Sequence, residues 1–269
     1  MRIVPALDRG LLVLELLADA REPRSASQLS ELAGIPRSAI YEILNTLQNR
    51  DFVQVVSGTY RLGPAVATLG NRFLEQIDFI EEASNAAREL SRLTGETSQV
   101  GVLDGRHVFY IAKADSSHQI RLISSIGRRL PASCTALGKS MLAHLAEEEI
   151  DELYRLEPPE RLTDRSLNLA DLRDELSRIR NRGYAFEHGE SNDNVSCFAV
   201  AFHTGPGEHR LAALSVSVLS INLSKAREDE LVQAVQRCTN HLVERISAGG
   251  GPLFGNGSSR AIELAGDLV

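Results

Sequence analysis

The chain has 269 residues, 43 % hydrophobic and 24 % charged, which is ordinary for a globular protein long enough for one or two domains with a real core. No apolar run approaches the roughly 18 residues of a membrane span, and the start Met1-Arg2-Ile3-Val4-Pro5 lacks a signal peptide's apolar centre, so a cytoplasmic protein is expected. The net charge of −7 argues against a generally basic nucleic-acid binder, but residues 1–70 hold seven Arg, no Lys and seven Asp plus Glu, so the acidity lies entirely beyond residue 70.

From Ala6 to Ala20, Leu7, Leu11, Leu14 and Leu17 recur at helical spacing. Glu22-Pro23-Arg24 stops that helix, and Ser25-Ala26-Ser27-Gln28 has the form of a capping box for a second, short helix through Leu29, Leu32 and Ala33. Gly34 ends it, and Pro36 opens a third helix whose inner stripe is Ile40, Ile43, Leu44 and Leu47. Its opposite face carries Arg37, Ser38, Tyr41, Glu42, Asn45 and Gln48. Strands over 52–56 and 59–62 flank a Ser57-Gly58 turn. Three short helices and a small hairpin, with a glycine in the short turn between helices two and three, predict a winged helix-turn-helix over residues 1–64.

Residues 65–94 read as helix with a break near Gln76 to Asp78, giving a linker helix over 65–77 and the start of a second domain over 78–248. Strands follow around Val100 to Val102 and Val108 to Ala112, with a type I′ turn expected at Asp104-Gly105, and another strand over 120–124. Helices are predicted at 135–145, 147–154 and 169–182, strands at 184–188, 196–203 and 210–218, and a closing amphipathic helix from Lys225 to about Ser247. Strands and helices segregate, so the fold class is α+β, with a mainly antiparallel sheet flanked by helices. The glycine-rich stretch 249–269 reads as a flexible tail.

Catalytic and metal signatures are weak. Cys134, Cys197 and Cys238 form no disulfide framework, and no CxxC or HxxxH pair supports a metal site, so neither metal nor cofactor is expected. His188 lies near Cys197 in sequence, but no nucleophile signature surrounds either Cys134 or Cys197. Gly138-Lys139-Ser140 lacks the upstream glycine of a phosphate loop. An enzyme is therefore not expected; the alternative kept in view is a small-molecule hydrolase carrying a regulatory helix-turn-helix.

The motifs together resemble one family. Ala6-Leu7-Asp8-Arg9 through Leu17, Gly34-Ile35-Pro36-Arg37-Ser38 and Tyr60-Arg61-Leu62-Gly63 are similar to the DNA-binding domain of IclR-type bacterial regulators. In the second domain Leu130-Pro131-Ala132-Ser133-Cys134-Thr135-Ala136-Leu137-Gly138-Lys139, Arg182-Gly183-Tyr184-Ala185, Val195-Ser196-Cys197 and Ala212-Ala213-Leu214-Ser215-Val216-Ser217 resemble that family's effector-domain signatures. The resemblance spans roughly residues 5 to 247. It departs at Ala201, where the family usually has proline, and in the tail.

The resemblance implies a transcription regulator, repressor or activator, that binds double-stranded operator DNA as a homodimer or homotetramer and responds to a small-molecule effector. Arg37 and Ser38 at a helix N-terminus suit phosphate, and Tyr41 and Asn45 lie further along, positioned for base edges. Ser27, Ser57, Gly58 and Arg61 complete the expected DNA contacts. The apolar face of helix one and Val66, Leu69 and Phe73 are the expected contacts between copies. For the effector, the implied set is Thr135, Ala136 and Leu137 opening a helix, Ser215 and Ser217 on one strand face, Cys197 nearby, Glu187 at an acidic pocket position, and Ile120 and Leu122 as an apolar wall. Such a set predicts a small organic acid bound without metal.

Overall fold

The computed structural model describes residues 3–20, 22–75, 77, 79–118, 125–204 and 211–248. The chain divides into two compact units, Met1–Glu75 and Gln76–Val269. Among the described residues no helix is long and apolar enough to cross a membrane.

The first unit contains α1 (Pro5–Ala18), α2 (Ala26–Ala33), α3 (Arg37–Asn49), the hairpin β1 (Val53–Val56) and β2 (Thr59–Leu62), and α4 (Pro64–Leu74). The predicted capping box forms: Ser25 accepts from the Gln28 amide while the Gln28 side chain accepts from the Ser25 amide. Gly34 ends α2 in the left-handed conformation, as the sequence predicted. Pro36 stands one place earlier than expected, as the cap residue of α3, with its carbonyl accepting from the Ile40 amide. Ser57 (φ 51°) and Gly58 (φ 79°) form the two-residue turn of the hairpin, both in the left-handed region that a type I′ turn requires. A third, minimal strand that no sequence pattern announces joins the hairpin: Arg24 and Tyr60 exchange backbone hydrogen bonds of 2.9 and 2.7 Å.

Val13, Leu17, Leu29, Ile35, Ile40, Leu44 and Val53 fill this unit's core. Each fully buried leucine or isoleucine contributes about 2 kcal/mol of apolar transfer, enough to hold three short helices that would not persist alone. Where β2 hands over to α4, Gly63 donates to the Phe52 carbonyl and Ala65 to the Asp51 carbonyl. A Cβ on Gly63 would stand 2.1 Å from the Asp51 oxygen, so glycine is required for this close approach.

The second unit contains α5 (Ile80–Thr94), β3 (Thr97–Asp104), β4 (His107–Ala114), β5 (Arg129–Pro131), a 3-10 turn at Ala132–Cys134, α6 (Ala136–Leu142), α7 (Glu147–Tyr154), α8 (Leu169–Arg182), β6 (Ala185–His188), β7 (Val195–His203), β8 (Leu211–Leu219) and α9 (Lys225–Ala248). The break between α4 and α5 falls where the sequence placed it. The six strands form one antiparallel sheet in the order β5-β4-β3-β8-β7-β6. Helices α5 and α9 cover one face, α6 and α8 the other.

Two expectations are corrected. The β3–β4 turn is not Asp104-Gly105: Asp104 pairs with His107, and the loop is Gly105-Arg106. Only Gly105 takes a positive φ (57°) there, so the strands extend one residue further and glycine occupies the first loop position. The helix expected over 135–145 is shorter, Ala136–Leu142: Thr135 serves as its N-cap, and at the other end Ala143 is its C-cap. The strand expected over 120–124 and the tail 249–269 lie outside the described residues.

Candidate functional site

In the first unit the buried side of α3 is Ile40 and Leu44, and Ser38, Tyr41, Glu42, Asn45 and Arg37 are all exposed. Ser27, exposed on α2, accepts a hydrogen bond from the Arg37 guanidinium, which joins two of the expected DNA contacts into one patch. Ser57, Gly58 and Arg61 are exposed on the hairpin. Arg61 donates to its cross-strand neighbour Gln54 at 3.3 Å, which aligns the guanidinium along the hairpin.

In the second unit, antiparallel pairing fixes which side chains share a sheet face. Glu187 pairs with Cys197, Cys197 with Ser217, and Ser217 with Thr97; one step along, Ser215 pairs with Ala199 and with Gln99. These residues lie on the face toward α6. A chain of hydrogen bonds links them: the Cys197 thiol donates to Ser217 Oγ (3.2 Å), Ser217 to Gln99 Oε1 (3.4 Å), and Ser215 to the Gln99 carbonyl (3.4 Å). Thr135 caps α6 by accepting from the Gly138 amide at 3.0 Å, and Ala136 and Leu137 are buried beside it. A Cβ on Gly138 would meet the Ala132 carbonyl oxygen at 2.2 Å, so glycine lets α6 lie on the preceding turn. Ile120 and Leu122 lie outside the described residues.

Glu187 is fully buried. Its Oε1 accepts from the Ser191 amide (2.8 Å) and hydroxyl (2.6 Å), while Oε2 has no hydrogen-bond partner among the described residues. Burial pushes its carboxyl above the ordinary value, although the Ser191 bonds pull it back. Burial and then the Glu187 carboxyl push the Cys197 thiol well up, so it is a neutral thiol rather than a nucleophile. His188 faces away from it and bonds Ser196 Oγ at 2.7 Å, on the opposite side of the sheet. Cys134 is buried and donates to the Glu160 carbonyl at 3.1 Å.

Four residues escaped the sequence reading. Gln99 sits between Ser215 and Ser217, and Tyr110 is buried beside Cys197 and Glu187, its phenol raised mainly by burial. Lys139, the one charged residue of the wholly buried α6, bonds Glu190 Oε1 at 2.5 Å; Glu190 Oε2 is buried and unpartnered among the described residues. Burial pushes the Glu190 carboxyl to about 7, with Lys139 opposing. The available signals were a polar residue at an inward strand position and a lone charge in a buried helix.

A winged helix-turn-helix with an exposed recognition face, joined to a sheet domain with a buried polar cluster, defines a DNA-binding transcriptional regulator that responds to a small molecule. The model of the IclR helix-turn-helix domain matches residues 6–57, and that of the bacterial transcriptional regulator IclR C-terminal domain matches residues 71–244. The HTH-type transcriptional regulator XynR of Escherichia coli K12 is 33 % identical over 84 % of this chain and 90 % of its own length. An IclR transcriptional regulator from Silicibacter sp. TM1040 is 26 % identical, with a TM-score of 0.71 over 93 % of this chain and 99 % of that one. An IclR homolog from Microbacterium hydrocarbonoxydans, solved in complex with 4-hydroxybenzoate, shares the fold at 20 % identity (TM-score 0.75; 90 % of this chain, 99 % of that one). This chain belongs to the IclR family of bacterial transcriptional regulators.

Proposed function

We propose that residues 1–64 grip operator DNA, that 65–77 link, and that 78–248 hold a small organic acid as effector. The DNA contacts are Arg37, Ser38, Tyr41 and Asn45 in the major groove, supported by Ser27, with Ser57, Gly58 and Arg61 at the backbone or minor groove. The protein acts as a homodimer or homotetramer, because one winged helix makes too few contacts for useful affinity. The exposed apolar residues Leu7 and Leu11 of α1, and Leu69 and Phe73 of α4, with Val66, support this reading as the surface between copies. DNA as the partner makes the cytoplasm its place of work.

The observation that carries the effector reading is the unpartnered, buried Glu187 Oε2 beside the Cys197–Ser217–Gln99 chain. Oε1 is engaged as an acceptor, so a proton on the raised carboxyl resides on Oε2. In its protonated form, which burial favours, Glu187 donates from Oε2, and a ligand carboxylate is an acceptor that would satisfy that form without like-charge repulsion. Ser215 and Ser217 supply further hydroxyls, Thr135, Ala136 and Leu137 bound one side, and Ile120 and Leu122 are the proposed apolar wall. The effector acts by binding one of two DNA-binding arrangements more tightly than the other.

The test is a thermal-shift screen of small carboxylic acids followed by titration of the hit against a Ser215→Ala, Ser217→Ala double variant. The variant should keep its fold and operator affinity and lose ligand response. Response at wild-type ligand concentrations would overturn this site.

A further inference from the structure

The outward stripe of α3 contains Ser38, Glu42, Asn45 and Asn49, at i, i+4, i+7 and i+11, all exposed and opposite the fully buried Ile40 and Leu44. Glu42 stands in the middle of that stripe. No ion pair engages it among the described residues, and the helix's one cation, Arg37, is turned onto Ser27. Thr46 Oγ1 donates to the Glu42 backbone carbonyl at 2.8 Å and leaves its carboxylate untouched. A carboxylate carried into the groove of a polyanion is repelled by the phosphates unless it finds a hydrogen-bond donor. The major groove offers two amino groups, on cytosine N4 and adenine N6. Adenine sets the acceptor N7 beside its amino group, which opposes a carboxylate. Cytosine presents its amino group next to a C–H edge, which does not.

We infer that Glu42 is a specificity-determining residue that reads a cytosine amino group in the operator. The inference rests on the proposed placement of α3 in the major groove. Asn45, which offers both a donor and an acceptor, matches the N6/N7 pair of adenine. Glu42 contributes selectivity rather than raw affinity: it penalises every sequence and is compensated only on the right one.

The experiment selects operators from a random duplex library with the full-length protein. Binding of wild type, Glu42→Ala and Glu42→Gln is then measured by fluorescence anisotropy at fixed salt on the selected duplex and on versions with each base pair exchanged. Wild type should enrich a C·G pair and discriminate against its exchange by roughly 5- to 100-fold. Glu42→Ala should lose that discrimination at this pair alone while binding unselected DNA more tightly, and Glu42→Gln should move the preference toward A·T. Glu42 is exposed, so both variants retain the fold. If Glu42→Ala strengthens binding equally on all duplexes and selects the same sequence as wild type, the inference fails while the placement of α3 stands. If wild type enriches no sequence, the placement fails and takes the inference with it.

Discussion

Replacing Lys139 by methionine removes the cation paired with the buried carboxyl of Glu190. Lys139 is 1 % exposed and its Nζ lies 2.5 Å from Glu190 Oε1. Burial raises the Glu190 carboxyl from 4.5 to about 7, and the lysine is what holds it that low. A carboxyl raised in the folded state favours folding while it is protonated. Its contribution is full below its unfolded value, declines as pH climbs from 4.5 toward about 7, and stays low above that. At 1.36 kcal/mol per pKa unit the wild-type decline is at most about 3 kcal/mol. Lys139→Met pushes the folded value higher and extends the decline to higher pH. At pH 8 the variant must either bury an unpaired carboxylate or protonate it against the solution, a loss of about 3–5 kcal/mol. Near pH 5.5 Glu190 is largely protonated in both proteins and methionine occupies the lysine's volume, so the loss shrinks to about 1–2 kcal/mol. Urea unfolding at the two pH values measures the difference. An equal loss at both, or wild-type stability at pH 8, would refute the reasoning.

Arg37→Ala should weaken operator binding by about 1–3 kcal/mol and relax specificity at one base pair if the guanidinium reads guanine; if it meets only phosphate, anisotropy titrations should show equal weakening on all sequences and a flatter salt slope. Gly138→Ala should destabilise the second unit by about 2 kcal/mol or more in chemical unfolding, since its Cβ would meet backbone rather than a side chain able to move. Leu69→Glu with Phe73→Glu should shift sedimentation toward monomer and weaken operator binding, while circular dichroism stays unchanged because both residues are exposed.

Short-range chemistry was legible in the sequence. The Ser25–Gln28 capping box, Gly34 and the inner stripe of α3 follow from spacings of three or four residues, and they appear as read, with Ile40 and Leu44 fully buried and Ile43 and Leu47 partly buried against the same core. The β3–β4 turn missed by one residue because Asp104-Gly105 and Gly105-Arg106 are both plausible two-residue loops, and pairing along the whole strand decided between them. Ser215 and Ser217 share a face by simple alternation, but Gln99 lies 116 and 118 residues away, and only sheet order brings it between them. Glu187 entered through family resemblance alone. The Lys139–Glu190 pair spans 51 residues, and nothing local to either residue announces the other.

Strand β8 sits inside the sheet, and its nine residues are laddered to β7 while six of them also pair with β3. Amide hydrogens there exchange only when the sheet itself opens, so this strand belongs to the most slowly exchanging part of the domain. A ligand resting on Ser215 and Ser217 therefore lands on an unyielding bed. Whatever it displaces must lie nearer the margin of the sheet, where β6 is a four-residue edge strand and the turn after it carries Glu190. Deuterium uptake on ligand addition should accordingly change around residues 187–191 and leave 213–217 as they were.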